Sequence, residues 1–318
     1  MGDGIDFHEV VIEHTAPFVE LAAHGGGWAY EAYFSLCCHE YLPADVDRIL
    51  YIDAGDVIID GDISEYYFGD FEGKSLIATI GRFKDNGAGG PGVLDRNDMN
   101  DDRQLAAIKR GVLNSGSYVI NVNQFRADQL TIDDFIYVSR VLCERFPEEH
   151  QVYFGDQGLI SVAFLGDIRY FAYPEIKNLW YMPYNFCLWF FDRMDEPWYS
   201  PKILHFAGVS FKPWQARFSV DNLKAYHFQT DFNNVYAPFY LKYKQIEFYE
   251  RWWDYCRLTP IYKELNDSAS VYARALEDHF LPLCKKYNDL VDRTVLLQNQ
   301  LQVKRNISTS HTRKKKKR

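Results

Sequence analysis

A short apolar run that stops on a crowd of carboxylates constrains this chain more than any other stretch. Arg48-Ile-Leu-Tyr-Ile52 closes on Asp53-Ala-Gly-Asp56-Val-Ile-Ile-Asp60-Gly-Asp62. A run of β-branched and aromatic residues that ends this way reads as a parallel strand bringing side chains to its C-terminal edge, where open α/β sheets hold their ligands. Carboxylates so close together repel one another unless a cation or a solvated turn relieves them. A hard divalent cation with oxygen ligands suits them, and such a cation also binds phosphate oxygens. Asp60-Gly-Asp62 reads more plainly as a turn, and a turn is the competing reading for Asp53 and Asp56.

The flanking segments alternate between strand and helix patterns. Strands are expected at Ile5 to Glu13, Ser75 to Ile80 and Tyr118 to Val122, and helices at Trp28 to Leu42, Asp101 to Arg110 and about Asp128 to Phe146. That alternation predicts an α/β fold with a mainly parallel sheet. From Val220 onward the character changes: aromatics crowd between Tyr226 and Tyr255, and a helical pattern, started or kinked at Pro282, runs to about Val303. Within it Leu283, Tyr287, Leu290, Thr294, Leu297 and Leu301 make a helical seam. It reads first as a core-facing stripe and second as a face for a partner helix. The expected organisation is therefore 1–219, an α/β domain; 220–303, an aromatic-rich helical region; and 304–318, a disordered basic tail.

Charge narrows the function. The 318 residues carry 35 Lys and Arg against 44 Asp and Glu. Eight of the basic residues (Lys304, Arg305 and Arg313 to Arg318) lie in the last fifteen positions, so the body holds 27 against 44, a net of −17. An acidic body repels phosphate backbones, which argues against a nucleic-acid partner. The run 313–318 reads as a solvated tail or as an attachment to an anionic membrane surface, worth up to about 1 kcal/mol per basic residue. Six scattered cysteines without a Cys-x-x-Cys pair fit a reduced, cytoplasmic protein and support no zinc site. The start, MGDGIDFHEV, has no signal-peptide character, and the most apolar stretch, Leu179 to Phe191, is too short to span a bilayer.

Several motifs in order resemble the family-8 retaining glycosyltransferases, which use nucleotide-sugar donors on a GT-A fold. Tyr51 to Asp56 is similar to their strand-end Asp-x-Asp motif, with Tyr41-Leu-Pro-Ala-Asp-Val-Asp-Arg-Ile-Leu50 as its lead-in. Asn114-Ser-Gly-Ser-Tyr-Val-Ile-Asn121 resembles their Asn-Ser-Gly segment, Asp156-Gln157 their Asp-Gln pair, and His205-Phe-Ala-Gly208 with Lys212-Pro-Trp214 their closing signature. Trp252 to Tyr255 and Thr259 to Tyr262 resemble the end of bacterial members. The resemblance covers roughly residues 28 to 265.

The resemblance implies Asp53, Asp56 and His205 as ligands of Mn²⁺ or Mg²⁺, and Gly208 and Lys212 at the donor diphosphate. It implies Asn114, Asp156 and Gln157 around the donor sugar, the last two being catalytic. The activity implied is transfer of a hexose, galactose or glucose, from a UDP-sugar to a saccharide or glycolipid acceptor; with the basic run 313–318 read as a membrane attachment, the expected enzyme is cytoplasmic and peripheral on the inner membrane face. For single residues the alternatives are a core histidine at 205, a helix N-cap at Asp156 and a turn residue at Asn114.

Three departures accompany the match. Asp56 falls one residue later than the motif requires, so a bulge at Gly55 is needed to aim it. Ser35 stands where the family carries a donor-facing arginine. The strand and loop that hold the nucleobase are not found ahead of Ile5, which predicts a GT-A fold incomplete at its N-terminus with a helical C-terminal extension. The rival function is a catalytically inactive GT-A remnant acting as a scaffold or interaction module.

Overall fold

A computed structural model describes residues 7–80, 100–171, 186–187, 202–206, 212–214 and 246–275, with scattered positions between 278 and 301. The chain divides into two units, Met1–Ala207 and Gly208–Arg318.

In the first unit a four-stranded sheet has the order β1-β4-β3-β5, formed by β1 (Arg48–Ile52), β3 (Leu76–Ile80), β4 (Leu113–Asn121) and β5 (Ile168–Tyr170). The strand expected at Arg48 is present. The sheet is mixed rather than mainly parallel: β3 and β5 are parallel, whereas β4 runs against both β1 and β3. A second, smaller sheet has the order β2-β7-β6, with β2 (Val57–Ile59), β6 (Phe186–Cys187) and β7 (Ile203–His205).

The helices of this unit are α1 (Ala16–His24), α2 (Ser64–Tyr67), α3 (Asp102–Ile108), α4 (Val122–Ala127), α5 (Ile132–Arg145) and α6 (Gly155–Ala163). Asp101 caps α3 by accepting from the N–H groups of Arg103 and Gln104. The helix expected from about Asp128 to Phe146 is present as α5 but starts at Ile132, and the short α4, which was not expected, precedes it. Gln129 adopts φ +53°, which a helix cannot continue through, and a Thr131/Asp134 capping box starts α5 afresh. Tyr30–Glu40 forms 3₁₀ turns broken at Cys37, so the helix expected at Trp28 to Leu42 is short-pitched and interrupted. Residues 7–15 form no strand; Phe7, Val10 and Val11 are exposed, with no strand partner among the described residues. Ile5 and Asp6 of that expected strand lie outside the described residues.

The main core joins Phe18 and Leu21 of α1, Leu76 and Ala78 of β3, Tyr118 and Ile120 of β4, Phe135 of α5 and Leu159, Ile160 and Val162 of α6. A smaller core on the other sheet face joins Tyr66, Phe71, Ile77, Val119 and Ile203.

Two cationic side chains brace the elements that carry the site. Arg126 on α4 donates to four carbonyls of the loop before β1, those of Leu42, Pro43, Ala44 and Val46, at 2.8–3.2 Å. Lys109, fully buried at the end of α3, donates to Glu149 Oε2 at 2.6 Å and to the Val152 carbonyl at 2.7 Å, and lies 4.3 Å from the centroid of Phe146. Burial lowers its pKa while Glu149 acts to hold its proton on. The Lys109 carbonyl also accepts from the N–H of Phe154, which anchors the start of α6.

In the second unit α7 (Ile246–Cys256) and α8 (Tyr262–Ala275) form within the aromatic-rich region. Trp253 is buried, with ring centroids of Trp252 at 5.2 Å and Tyr262 at 6.1 Å. Leu290, Leu297 and Leu301 of the expected seam are exposed, so these three do not face a core. Leu283, Tyr287 and Pro282 lie outside the described residues, as do Gly208, residues 302–303 and the basic tail, 304–318.

Candidate functional site

The site is assembled by strand register. β1 ends at Ile52, and the Asp53 N–H donates to the Gly116 carbonyl on β4 at 3.1 Å, which fixes the first carboxylate against the sheet. Tyr51, two residues back and so on the same face, donates its hydroxyl to Asp53 Oδ1 at 3.1 Å. Asp53-Ala-Gly-Asp56 then turns. Gly55 adopts φ +81° with open space where a side chain would stand, so glycine is used here for its backbone freedom. After the turn, β2 pairs with β7 so that Val57 lies opposite His205, and the Phe206 N–H donates to the Asp56 carbonyl at 2.8 Å. The turn thereby sets Asp56 beside His205 despite the extra residue.

Asp53, Asp56 and His205 each offer a ligand atom, and these atoms lie within 4.8 Å of one another. His205 Nε2 is 3.5 Å from Asp53 Oδ2 and 3.5 Å from Asp56 Oδ1. Those gaps exceed ordinary N–H···O contacts of about 2.7–3.2 Å. Two ligands about 2.1 Å from one ion stand roughly 3.0–3.4 Å apart at octahedral to tetrahedral angles, so the three residues fit a divalent cation with two hard oxygens and one imidazole. The imidazole is buried, with 5% of its side chain exposed, against 35% for Asp53 and 17% for Asp56. The carboxylates therefore face the open side.

The Asn114-Ser-Gly segment lies inside β4, which starts five residues before Tyr118, so Asn114 is a strand residue rather than a turn residue. Its pairing is irregular: from Ala78↔Tyr118 to Ile80↔Leu113, β3 advances two residues while β4 advances five. Bulges re-aim side chains in this way. Asn114 Oδ1 accepts from the Gly116 N–H at 2.9 Å and lies 3.1 Å from His205 Nδ1. Gly116 leaves room for the imidazole; a Cβ there would lie 2.0 Å from His205 Cε1.

Asp156 is buried in the first turn of α6, as its second residue; Phe154 is the cap. Burial and then the charge of Asp53 push its pKa up to about 7, against hydrogen bonds from Ser115 and from the N–H groups of Gln157 and Asp156 itself, which lower it. Gln157, also buried, lies over Gly111: a Cβ at that glycine would be 2.2 Å from Gln157 Nε2. Ser35 accepts from the Tyr118 hydroxyl at 2.6 Å, and the Tyr118 ring lies 4.9 Å from that of Tyr51. Lys212 belongs to the second unit, where its ammonium is 6.0 Å from the centroid of Trp214.

Ser115, Gly116, Tyr51 and Tyr118 were not singled out by sequence reasoning, although each had a signal. The first two sit in the same small-residue segment as Asn114, and Tyr51 alternates with Asp53 along one strand.

The sequence profile of glycosyl transferase family 8 matches residues 7–217. The chain belongs to that family. Among solved structures, this family-8 chain is similar to an active-site mutant of LgtC, at 20% identity and TM-score 0.41, covering 62% of this chain and 65% of that one. It is also similar to the glycosyltransferase GlyE of Streptococcus pneumoniae TIGR4, at 20% identity and TM-score 0.40, covering 75% and 45%. The bifunctional glycosyltransferase WbbM gives 15% and TM-score 0.45, covering 76% and 38%. The chain thus spans less than two thirds of the length of each of these structures. Among curated proteins none matches it. The fold is α/β of the GT-A type. No helix among the described residues is long and apolar enough to cross a membrane.

Proposed function

We propose that this family-8 chain is a divalent-metal-dependent retaining glycosyltransferase. It moves a hexose, galactose or glucose, from a UDP-sugar to a saccharide or lipid-linked saccharide acceptor. The observation that carries the reading is the convergence of Asp53, Asp56 and His205 in a member of this family.

Those three residues would hold Mn²⁺ or Mg²⁺, the imidazole favouring Mn²⁺. When bound, the ion supplies Lewis-acid relief of the charge that grows on the departing diphosphate. The chain's own contribution is positioning. His205 approaches from the buried side and leaves the exposed side of the carboxylates for substrate oxygens. Gly208 and Lys212 are assigned to the diphosphate, where a glycine permits close approach and a lysine adds positive charge.

Asp156 and Gln157 are assigned as the catalytic pair, lining the donor sugar with Asn114. A carboxylate beside the anomeric centre stabilises an oxocarbenium-like transition state. Asp156 needs its negative charge for that; burial is the main cause of its raised pKa, and positive charge beside Asp53 offsets the repulsion that adds to it. The basic run 313–318 is assigned to an anionic membrane surface, which suits a lipid-linked acceptor at the cytoplasmic face.

Isothermal titration with UDP and Mn²⁺ tests the reading. Saturable heat that requires both ligands is expected. No heat at millimolar ligand overturns it and leaves a silent scaffold.

A further inference from the structure

The Asn114-Ser-Gly segment carries an inference that goes past the assignment of Asn114 to the donor sugar. Asn114 Oδ1 is engaged by the Gly116 N–H at 2.9 Å and by His205 Nδ1 at 3.1 Å. A backbone N–H can only donate, so the Gly116 contact fixes which end of the amide points there: the oxygen. An oxygen of a neutral amide can only accept, so His205 Nδ1 must carry a hydrogen. In a neutral imidazole the lone pair then belongs to Nε2, the nitrogen that stands 3.5 Å from both Asp53 and Asp56. Gly116 serves the same end sterically, since its missing side chain leaves the space the ring occupies. The pairing of Val57 with His205 brings the ring to this place, and the irregular stretch of β4 supplies the group that orients it.

We propose that Asn114 is a positioning residue for the metal centre: it locks His205 in the Nδ1–H tautomer and so presents the Nε2 lone pair to the cation. This rests on the metal reading of Asp53, Asp56 and His205. Partners of this kind commonly hold a ligating histidine through its other nitrogen, and losing one costs about 10–100-fold in metal affinity.

Two measurements on the full chain test it. Long-range ¹H–¹⁵N spectra of the metal-free protein at about pH 8, above the ordinary imidazole range, report the tautomer of His205. Manganese titration followed by paramagnetic resonance reports Mn²⁺ affinity. The expected result is an Nδ1–H tautomer in the wild type that is lost in Asn114→Ala, with Mn²⁺ affinity falling about 10–100-fold. Asn114→Asp keeps an acceptor oxygen and is expected to keep the tautomer. His39, whose Nε2–H donates to the Leu130 carbonyl at 2.9 Å, serves as the internal control for an intact fold.

An Nε2–H tautomer in the wild type overturns the proposal. So does Asn114→Ala with unchanged tautomer and Mn²⁺ affinity but a raised donor KM, which is the outcome of a sugar contact alone. If Asn114→Ala does not fold, the wild-type and Asn114→Asp spectra decide. If the wild type binds no Mn²⁺ the metal reading falls and the metal role of Asn114 is overturned with it, whatever tautomer the spectra show.

Discussion

β1 pairs along its whole length with the second half of β4, yet the two strands contribute to the site in opposite ways. β1 stands at the end of the sheet order with its residues half-buried, and it delivers Asp53 by stopping. β4 is central, almost wholly buried, and it delivers Asn114, Ser115 and Gly116 from an irregular stretch in its own body. A regular strand can offer a ligand only at its tip or on alternate residues of one face. An irregular one can aim consecutive residues at different targets: Asn114 at His205, Ser115 at Asp156, and Gly116 at empty space for a ring. The half-buried strand therefore carries the charge, and the deeply packed one carries the geometry.

The largest effect should come from the β1 side. Asp53→Ala removes a proposed metal ligand and the hydrogen bond from Tyr51, and transfer should fall by roughly 10³-fold or more, since several kcal/mol of charge stabilisation is at stake. Retained turnover in a sugar-transfer assay would break the contrast outright. On the β4 side, Gly116→Ala places a Cβ 2.0 Å from His205 Cε1. It should lower the urea stability by about 1–3 kcal/mol and weaken Mn²⁺ binding together, because the ring must move.

Gly111→Ala sharpens the contrast by touching neither strand's ligands. Its φ of +96° strains any side chain, and the new methyl would lie 2.2 Å from Gln157 Nε2. If Gln157 acts on the sugar, kcat should drop while Mn²⁺ affinity stays near wild type; turnover measurements and a Mn²⁺ titration together check this.

Asp156 gives a pH signature. Its folded pKa of about 7 lies above the ordinary 3.8, so the folded chain holds this proton more tightly than the unfolded chain. The stability contributed is full below the unfolded value and is lost as pH rises through about 7. Asp156→Asn should flatten that part of the pH dependence in urea melts of the metal-free protein. The smallest effect is expected from Ser115→Ala, which removes a hydrogen bond that lowers this pKa and should move the same transition to higher pH.

The parts of the molecule that depend on local pattern were readable before the fold was known. Arg48 to Ile52 announces a strand by composition, and Gly55 is the residue that a displaced Asp56 requires. What escaped was set by pairing across the chain. Nothing near Leu113 says that β4 begins there or that it runs against its neighbours, because direction is decided by partners far away in the sequence, as Arg48 is from Asn121. Ser35 reads in the sequence as the loss of a cation, and only the fold reveals it as the acceptor for Tyr118. Ile5 to Glu13 alternates like a strand, but alternation stabilises nothing without a neighbour to pair with.

The clamp that Arg126 places on the loop before β1 has a consequence for how the molecule breathes. Terminal strands ordinarily fray first and surrender their amide hydrogens to solvent ahead of the interior. Here a guanidinium staples the approach to β1 onto α4, and the Asp47 carbonyl accepts from Val122 as well. The peptide groups of Ile49 and Tyr51 should then exchange deuterium in step with those of Val119 and Ile120, and Arg126→Ala should set the two clocks apart.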